Sequence, residues 1–341
     1  MLKNIFIGIV LIVGIAGYLA FDKYTSIMSS NVPDELENRI VIIPTNSSFN
    51  DVVDILYMNK QIIDTASFHE VAEMMNYKKS IMRPGRYKIN PTWSNRSLIG
   101  HLRAGEQEPV NLVLNHGWVL EDIATKAAQF IEADSTDLIH FFNEDYIKKF
   151  GYNTETLMSL FIPNTYEFFW NSDEKVFIER MVKEHDRFWK SNNRLSKAKK
   201  IGLNPIEVYT LASIVEREIA KDEEKKRVAG LYLNRIRQGM KLDADPTAKF
   251  ATRDFDATRI LYKHIRFDSP YNTYIHKGLP PGPISMASIT SIDAVLDSEV
   301  HNYYFMCAEP DNPGYHVFAE TLTEHNKNAR KYHRWLDNLN K

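Results

Sequence analysis

The sequence has little of several features that would assign a function at once. Its 341 residues include a single cysteine, Cys307, which excludes an intrachain disulfide, a cysteine-based zinc site and a CxxC redox motif. The formal net charge is only −2, so no general attraction to nucleic acid is expected. The sequence contains no low-complexity tract and no repeat of about 20 to 50 residues. The length and the 44% of hydrophobic residues indicate an ordinary globular chain of about two domains.

The sequence also lacks the usual motifs of metal-binding sites. The chain has 11 histidines but no HExxH motif, and His276, His316 and His325 do not have the spacing of metal ligands. We interpret them as loop or buried histidines, and we expect neither a metal nor a cofactor.

Aromatic residues are plentiful, with 17 tyrosines and 18 phenylalanines. Aromatic rings can stack on sugar faces, but they also fill hydrophobic cores. The composition favours a role for these aromatic residues in the hydrophobic core, and it does not exclude that some of them contact carbohydrate.

One long apolar run stands at the N-terminus. Residues 5–21 (IFIGIVLIVGIAGYLAF) carry no charge, and at about 1.5 Å per residue they just span a bilayer core. The alternative is a cleaved signal peptide, but the small-residue pair Gly14 and Ala16 lies inside the run rather than after it. We therefore predict an uncleaved anchor over residues 1–22. The simplest orientation is single-pass in the inner (cytoplasmic) membrane, with the short N-terminal tail inside and the rest extracytoplasmic or periplasmic.

The remaining chain predicts an α+β protein. Residues 23–39 are polar and indicate a linker. The β-branched runs at 40–44 and 110–114 predict strands, and helical spacing follows each of them. We expect a small α/β module over residues 40–109 and a larger mixed domain over 110–341; one continuous domain is the alternative. Residues 161–170 are interpreted as an aromatic loop, 191–200 as a basic surface stretch, and 242–247 as a loop.

A helix beginning at Asn204 carries the most informative residues. Asn204, Pro205 and Glu207 form a capping box with proline at the first helical position. At about 100° per residue, Glu216 and Glu218 lie on opposite flanks of an apolar stripe, about 160° apart. Burial at such an edge raises a carboxyl pKa and keeps the proton available near neutrality. The helix alone does not choose between the two glutamates, and by itself it favours boundary glutamates without a catalytic role.

Several blocks that follow one another resemble the YceG-like endolytic murein transglycosylases. They are residues 211–218 (LASIVERE), 228–240 (VAGLYLNRIRQGM), 245–247 (DPT), 269–274 (SPYNTY), 278–284 (GLPPGPI), 303–305 (YYF), 316–318 (HVF) and 325–326 (HN). Upstream, residues 83–87 (RPGRY) and 162–168 (IPNTYEF) also resemble the family, so the likeness covers nearly the whole chain.

The sequence departs from the family pattern at two places. Residues 115–118 read NHGW where relatives more often have PEGW, and residues 243–245 read DAD in place of a more polar QxD. Neither departure is expected to touch the Glu216 segment, but the second makes substrate contacts near Asp243 less certain.

The resemblance implies a LysM-like module at residues 40–109 and a catalytic domain behind it. It also implies that the first glutamate of the 215–218 block, Glu216, is the catalytic acid. The substrate-binding or supporting residues that follow from motif membership are Glu218, Asn234, Asp245, Thr247, Tyr271, Asn272, Thr273 and Tyr274.

The activity implied is lytic cleavage of peptidoglycan between N-acetylmuramic acid and N-acetylglucosamine, with the C6 hydroxyl closing a 1,6-anhydro ring. The expected partners are glycan strands and the peptidoglycan synthases (penicillin-binding proteins), whose nascent strands the protein would end. One alternative is a muramidase that uses Glu216 with Asp245 as its second carboxylate. The other is a non-catalytic wall-binding scaffold.

Overall fold

The computed structural model describes residues 2–143, 145–257 and 259–339, and it is a mixed structure of helices and strands. The chain forms two compact units. The first comprises the chain up to Asn111 with Phe130–Glu132 and Glu167–Asp173, and the second comprises Leu112–Gln129, Ala133–Tyr166 and the chain from Glu174 onward.

The N-terminal apolar run forms a single long helix, α1 (Leu2–Met28). Within it, Ile7–Thr25 has a mean hydropathy of 1.6 and is long and apolar enough to cross a membrane. None of that segment is buried against the rest of the chain. An exposed apolar helix of this length fits the predicted anchor.

The first unit continues with two strands and three helices. In chain order they are β1 (Ile40–Ile43), α2 (Phe49–Met58), α3 (Thr65–Met74), β2 (Gly85–Lys88) and α4 (Asn95–Ala104). The two strands pair antiparallel, with Ile40 opposite Lys88. The side chains of Ser48 and Ser94 cap α2 and α4, and Gly105 ends α4 with a φ of 75° that favours glycine.

From Val110 onward the chain is mainly helical. The elements are β3 (Val110–Leu114), α5 (Leu120–Ala127), α6 (Ser135–Phe142), β4 (Asn164–Phe168), α7 (Glu174–Lys190), α8 (Arg194–Ile201), α9 (Pro205–Glu218), α10 (Asp222–Arg237), α11 (Asp245–Thr252), α12 (Tyr262–Ile265), α13 (Ile289–Leu296), β5 (Phe305–Ala308), β6 (His316–Ala319) and α14 (Leu322–Leu339). Short 3-10 helices cover Ile147–Phe150 and Leu157–Leu160. Strand β3 pairs with β4, and β5 pairs with β6 as an antiparallel hairpin.

Two local predictions are wrong. The aromatic loop at 161–170 contains strand β4, and the loop at 242–247 runs into helix α11. The basic stretch at 191–200 is mostly exposed, as predicted, and contains most of helix α8. Helix α8 is not purely a surface element, because Arg194 is buried and its guanidinium nitrogens lie 2.8 and 2.9 Å from the carboxylate oxygens of Asp293. That partner is 99 residues away in sequence, so no local pattern predicts it.

Helix α9 begins as predicted, and it is buried on more faces than its apolar stripe (Val208, Leu211, Ala212, Val215 and Ile219) alone predicts. Asn204 and Glu207 form the capping box, with hydrogen bonds of 3.0 and 2.8 Å. The predicted stripe is buried, and so are Thr210, Ser213 and Ile214 on other faces. The helix packs against α13, α10 and α11, and it ends at Glu218 because Ile219 is extended. Packing on several sides fixes the direction of its last side chains.

Tyr209 gives a test of this packing. Its buried hydroxyl donates to the Phe161 carbonyl oxygen at 2.5 Å and accepts from the Ala287 amide at 3.2 Å. Tyr209→Phe should destabilise the protein by about 1 to 3 kcal/mol, because two buried backbone groups lose their partner. The measurement is the melting temperature of the full chain in detergent, which we expect to fall by several degrees. Tyr262→Phe, at an exposed tyrosine, is the matched control; equal melting temperatures for the two variants would contradict this account.

Candidate active site

The last turn of α9 directs its two glutamates into different cavities. Glu216 lines a cavity of about 540 Å³. Glu218 lines two others, of about 600 and 240 Å³. Residues two apart on a helix lie about 160° from each other, so the predicted placement on opposite flanks is confirmed.

Glu216 is held by hydrogen-bond donors and cations on both carboxylate oxygens. Oε2 accepts from the Ser291 hydroxyl at 2.5 Å, from the Ser288 amide at 3.2 Å, and also from the Ser288 hydroxyl. The Lys225 ammonium lies 3.3 Å from Oε2, and Nδ1 of His116 lies 2.9 Å from Oε1. The side chains of Glu216 and Lys225 are only 8% and 5% exposed. Glu216 is therefore a fixed, fully partnered carboxylate.

The expectation that the pKa of Glu216 is raised is wrong, because this pKa is lowered. Burial is the largest single influence and raises this pKa, but the hydrogen bonds from Ser288 and Ser291 and the charges of Lys225 and His116 together lower it below its usual value. Donors that favour the charged form outweigh desolvation here. The departure at His116 also touches this segment directly, contrary to expectation.

Glu218 has the environment that was expected of the catalytic acid. Burial, with a further contribution from the negative charge of Asp245, raises its pKa to about 7, although a hydrogen bond from Tyr232 and the charges of Lys249 and Arg235 act against this. Oε2 is closed to solvent and has no hydrogen-bond partner among the residues that the structure describes. A buried oxygen without donors favours the protonated, neutral form of a carboxyl.

The two cavities beside Glu218 share one wall. Glu218, Asp245 and Tyr274 line both of them, and the Tyr274 hydroxyl donates to Oδ1 of Asp245 at 2.5 Å. The larger cavity adds the aromatic rings of Phe250 and Phe255. We call the two cavities together the Glu218 cleft. It combines a carboxyl group whose pKa is raised to about 7 with polar and aromatic side chains, as carbohydrate sites do.

Some of the other predicted site residues line cavities, and the rest form hydrogen bonds that support nearby segments. Asp245 and Tyr274 line the Glu218 cleft, and Tyr271 lines an adjacent cavity of about 200 Å³ that shares Phe250 and Ile284 with it. The Tyr271 ring lies 4.8 Å from that of Phe250, and burial raises the pKa of Tyr271 to about 12.

Four predicted residues have a supporting position instead. The amide of Asn272 donates to the carbonyls of His264, Ile265 and Phe267, at 2.8 to 3.1 Å. Thr247 and Thr273 are buried and join their hydroxyls at 2.8 Å. Asn234 donates to the carbonyls of His301 and Tyr303. These side chains hold the loops around the cleft in place.

Comparison with known proteins places the chain in a family. A family model described as the YceG-like family matches residues 41–331. The chain belongs to the YceG-like family.

Three relatives illustrate the match. The endolytic murein transglycosylase of Bacillus subtilis (strain 168) is 28% identical over 323 residues, covering 88% of this chain and 87% of the relative. That of Streptococcus pneumoniae serotype 2 (strain D39) is 24% identical over 91% of this chain, which spans only 61% of that longer protein. A crystal structure of a YceG-like protein from Listeria monocytogenes superposes with a TM-score of 0.57 at 27% identity, over 84% of this chain and 97% of that one.

Sequence reasoning missed residues around both glutamates of this YceG-like protein. His116, Ser288 and Ser291 bind Glu216, and His316 lines the Glu218 cleft with Glu224 behind it. His116, Ser288 and Ser291 are 72 to 100 residues away from Glu216 in sequence, so only family blocks pointed to any of these positions. Among the described residues, no group of three or more histidine, cysteine, aspartate or glutamate side chains is arranged to hold a metal ion.

The raised pKa of Glu218 predicts a pH-dependent stability. Between pH 4.5, its ordinary pKa, and about 7, the folded protein keeps a proton that the unfolded chain releases, so stability falls as the pH rises through this window. Glu218→Gln removes the effect. Wild type should therefore lose stability relative to this variant, by on the order of 3 kcal/mol at most, and the difference should stop growing above pH 7.

The measurement compares melting temperatures of full-length wild type and Glu218→Gln from pH 4.5 to 8. Glu216→Gln is the matched control. The lowered pKa of Glu216 confers stability that is lost only as pH falls below about 4.5, so this variant should run parallel to wild type over the window. A Glu218→Gln curve that is parallel to both would show that this carboxyl is not held protonated.

Proposed function

We propose that this protein is a peptidoglycan lytic transglycosylase in which Glu218, rather than Glu216, is the catalytic acid. The observation that carries the proposal is the carboxyl of Glu218 in a cleft, with a buried Oε2 that has no hydrogen-bond partner among the described residues and a pKa raised to about 7. Membership of the YceG-like family and relatives named endolytic murein transglycosylases support the substrate class.

The chemistry requires one proton at the glycosidic oxygen. Glu218 protonates the oxygen that leaves C1 of N-acetylmuramic acid, and the C6 hydroxyl of the same sugar attacks C1 and closes a 1,6-anhydro ring. No water has to be activated, so a second carboxylate is not needed as it is in a hydrolase. In the simplest scheme, the Glu218 carboxylate then accepts the proton of the attacking hydroxyl.

Glu216 suits a different role. A general acid must be protonated at the working pH, whereas serine donors and Lys225 hold Glu216 as a carboxylate. Those contacts join the end of α9 to α10 and to the start of α13. We infer that Glu216 fixes the last turn of α9 and thereby positions Glu218.

The shape of the Glu218 cleft supports cutting within a strand. Glu218 lines both the larger cavity, of about 600 Å³, and the smaller one, of about 240 Å³, so sugars can lie on either side of the acid. Aromatic rings and charged groups in the larger cavity offer contacts to sugar faces and substituents.

Glu218→Gln gives the direct test of the acid. It preserves shape but supplies no proton, so cleavage of purified peptidoglycan should fall by about 10² to 10⁴-fold while binding persists. Mass spectrometry of the digest measures the rate and shows whether wild type forms 1,6-anhydro ends. Glu216→Gln, two residues away, is the matched comparison and should retain more activity. If Glu216→Gln is inactive and Glu218→Gln is active, the two roles are reversed.

The same digest separates the alternatives. Reducing ends in place of anhydro ends would indicate a muramidase, for which Asp245 in the same cleft is the second carboxylate. Glycan binding without shortening of the strands would indicate a non-catalytic scaffold.

The first unit is proposed to help hold the glycan. Residues 40–109 correspond to the LysM-like module that the family resemblance implies, and residues 110–341 to the catalytic domain. Acting on strands as they leave peptidoglycan synthases, the protein would end their elongation.

We also propose that α1 anchors the protein in the cytoplasmic membrane with everything after residue 22 outside. Val300 is 99% exposed and outside the cleft, which makes it a labelling site. V300C in a C307S background should react with a membrane-impermeant maleimide in cells whose cytoplasmic membrane is intact. Labelling only after the cells are lysed would reverse the orientation; C307S alone is the control.

A further inference from the structure

A histidine and a carboxylate form a pair at the smaller cavity of the Glu218 cleft. Nδ1 of His316, at the start of β6, lies 2.9 Å from Oε2 of Glu224, in the first turn of α10. Oε1 of Glu224 accepts the backbone amide of His316 at 3.0 Å. The Glu224 side chain is only 6% exposed, and each of its two carboxylate oxygens contacts His316.

This arrangement fixes the imidazole and leaves its other nitrogen unused. A carboxylate that accepts from Nδ1–H selects the tautomer in which Nε2 carries a lone pair. The structure records no hydrogen bond for Nε2 with any described residue. The side chain is 19% exposed and lines the same cavity of about 240 Å³ as Glu218 and Asp245. An oriented imidazole, with no recorded partner for Nε2, therefore lines the cavity that holds the acid.

Two other histidines of the second unit, His301 and His264, differ from His316. His301 uses both nitrogens internally, with Nε2 2.8 Å from the Arg227 carbonyl oxygen and Nδ1 accepting the Tyr303 amide at 3.1 Å. His264 is likewise satisfied, by Asp254 and by the Leu261 amide. Those histidines serve the fold, whereas His316 has a nitrogen available for a ligand.

We propose that His316 is the base of the reaction and accepts the proton of the attacking C6 hydroxyl. This inference rests on the proposed function, and it divides between two residues the acid and base steps that the simplest scheme assigns to Glu218 alone. The C6 oxygen forms its bond to C1 as its proton passes to Nε2 of His316. The bond from C1 to the leaving oxygen breaks as that oxygen takes the proton of Glu218. Glu224 stabilises the imidazolium that results, and solvent returns the proton from His316 to Glu218 before the next cycle.

The test uses full-length enzyme in detergent and soluble, uncrosslinked glycan strands. His316→Ala should lower kcat by about 10² to 10³-fold with little change in KM, because a base acts in the chemical step. Added imidazole should restore activity in a saturable way, since the cavity left behind opens to the cleft. Imidazole should not restore Glu218→Gln. His276→Ala, at an exposed histidine outside the Glu218 cleft, is the matched control and should behave as wild type.

Two more variants guard against a purely structural effect. In His316→Asn, the amide nitrogen can take the place of Nδ1 and keep the bond to Glu224, while nothing replaces Nε2. This variant should melt as wild type and remain inactive. Glu224→Gln should lower kcat less than His316→Ala does, and without imidazole rescue.

The outcomes separate this inference from the proposed function. Activity of His316→Ala or His316→Asn equal to that of His276→Ala overturns the base assignment, and so does a loss that appears only in KM or that imidazole does not restore. Failure of wild type to form anhydro ends overturns the proposed function itself, whatever the His316 variants do.

Discussion

The carboxyl group of Glu218 is withdrawn from water at the end of α9, and its Oε2 has no donor among the described residues. A charge at such a place is costly, and the carboxyl avoids the cost by keeping its proton. This requires a helix end that cannot shift toward solvent or toward new donors. The buried sides of α9, its capping box and its contacts with α10, α11 and α13 supply that rigidity.

The same turn of helix gives two carboxyl groups opposite electrostatic environments. Glu216 is surrounded by Ser288, Ser291, Lys225 and His116, which favour its charged form. Glu218 is desolvated and lies near the like charge of Asp245; these favour its neutral form and outweigh the hydrogen bond from Tyr232 and the charges of Lys249 and Arg235. Environments that push the pKa values of neighbouring carboxyl groups apart are typical of sites that perform acid–base chemistry. In this protein, the pKa of Glu216 is lowered and the pKa of Glu218 is raised to about 7.

Local sequence patterns predicted the helix that carries the two glutamates, but they did not predict the electrostatic environment of each carboxyl group. The capping box at Asn204, the stripe of α9 and the caps of α2 and α4 depend on residues a few positions apart, so they could be identified from the sequence. The environments of Glu216 and Glu218 depend on side chains that arrive from far along the chain. Ser288 and Ser291 follow Glu216 by 72 and 75 residues, and together with Lys225 and His116 they outweigh the effect that burial alone would have on its pKa. For the same reason, the helical pattern could not distinguish the two glutamates, and the pairing of His316 with Glu224, 92 residues away, could not be predicted. Family blocks pointed to segments around the cleft, and within them Thr247, Asn272 and Thr273 are buried and do not line the cavities beside Glu218.

The central claim is that Glu218 keeps its proton near neutral pH while Glu216 does not. The most direct measurement is a carbon-13 NMR titration of the glutamate carboxyl carbons in the full-length protein, with the two signals assigned by their loss in Glu218→Gln and Glu216→Gln. The account predicts a Glu218 signal that titrates at about 7 and a Glu216 signal that titrates below the ordinary 4.5. A Glu218 signal that titrates at or below 4.5 would contradict it.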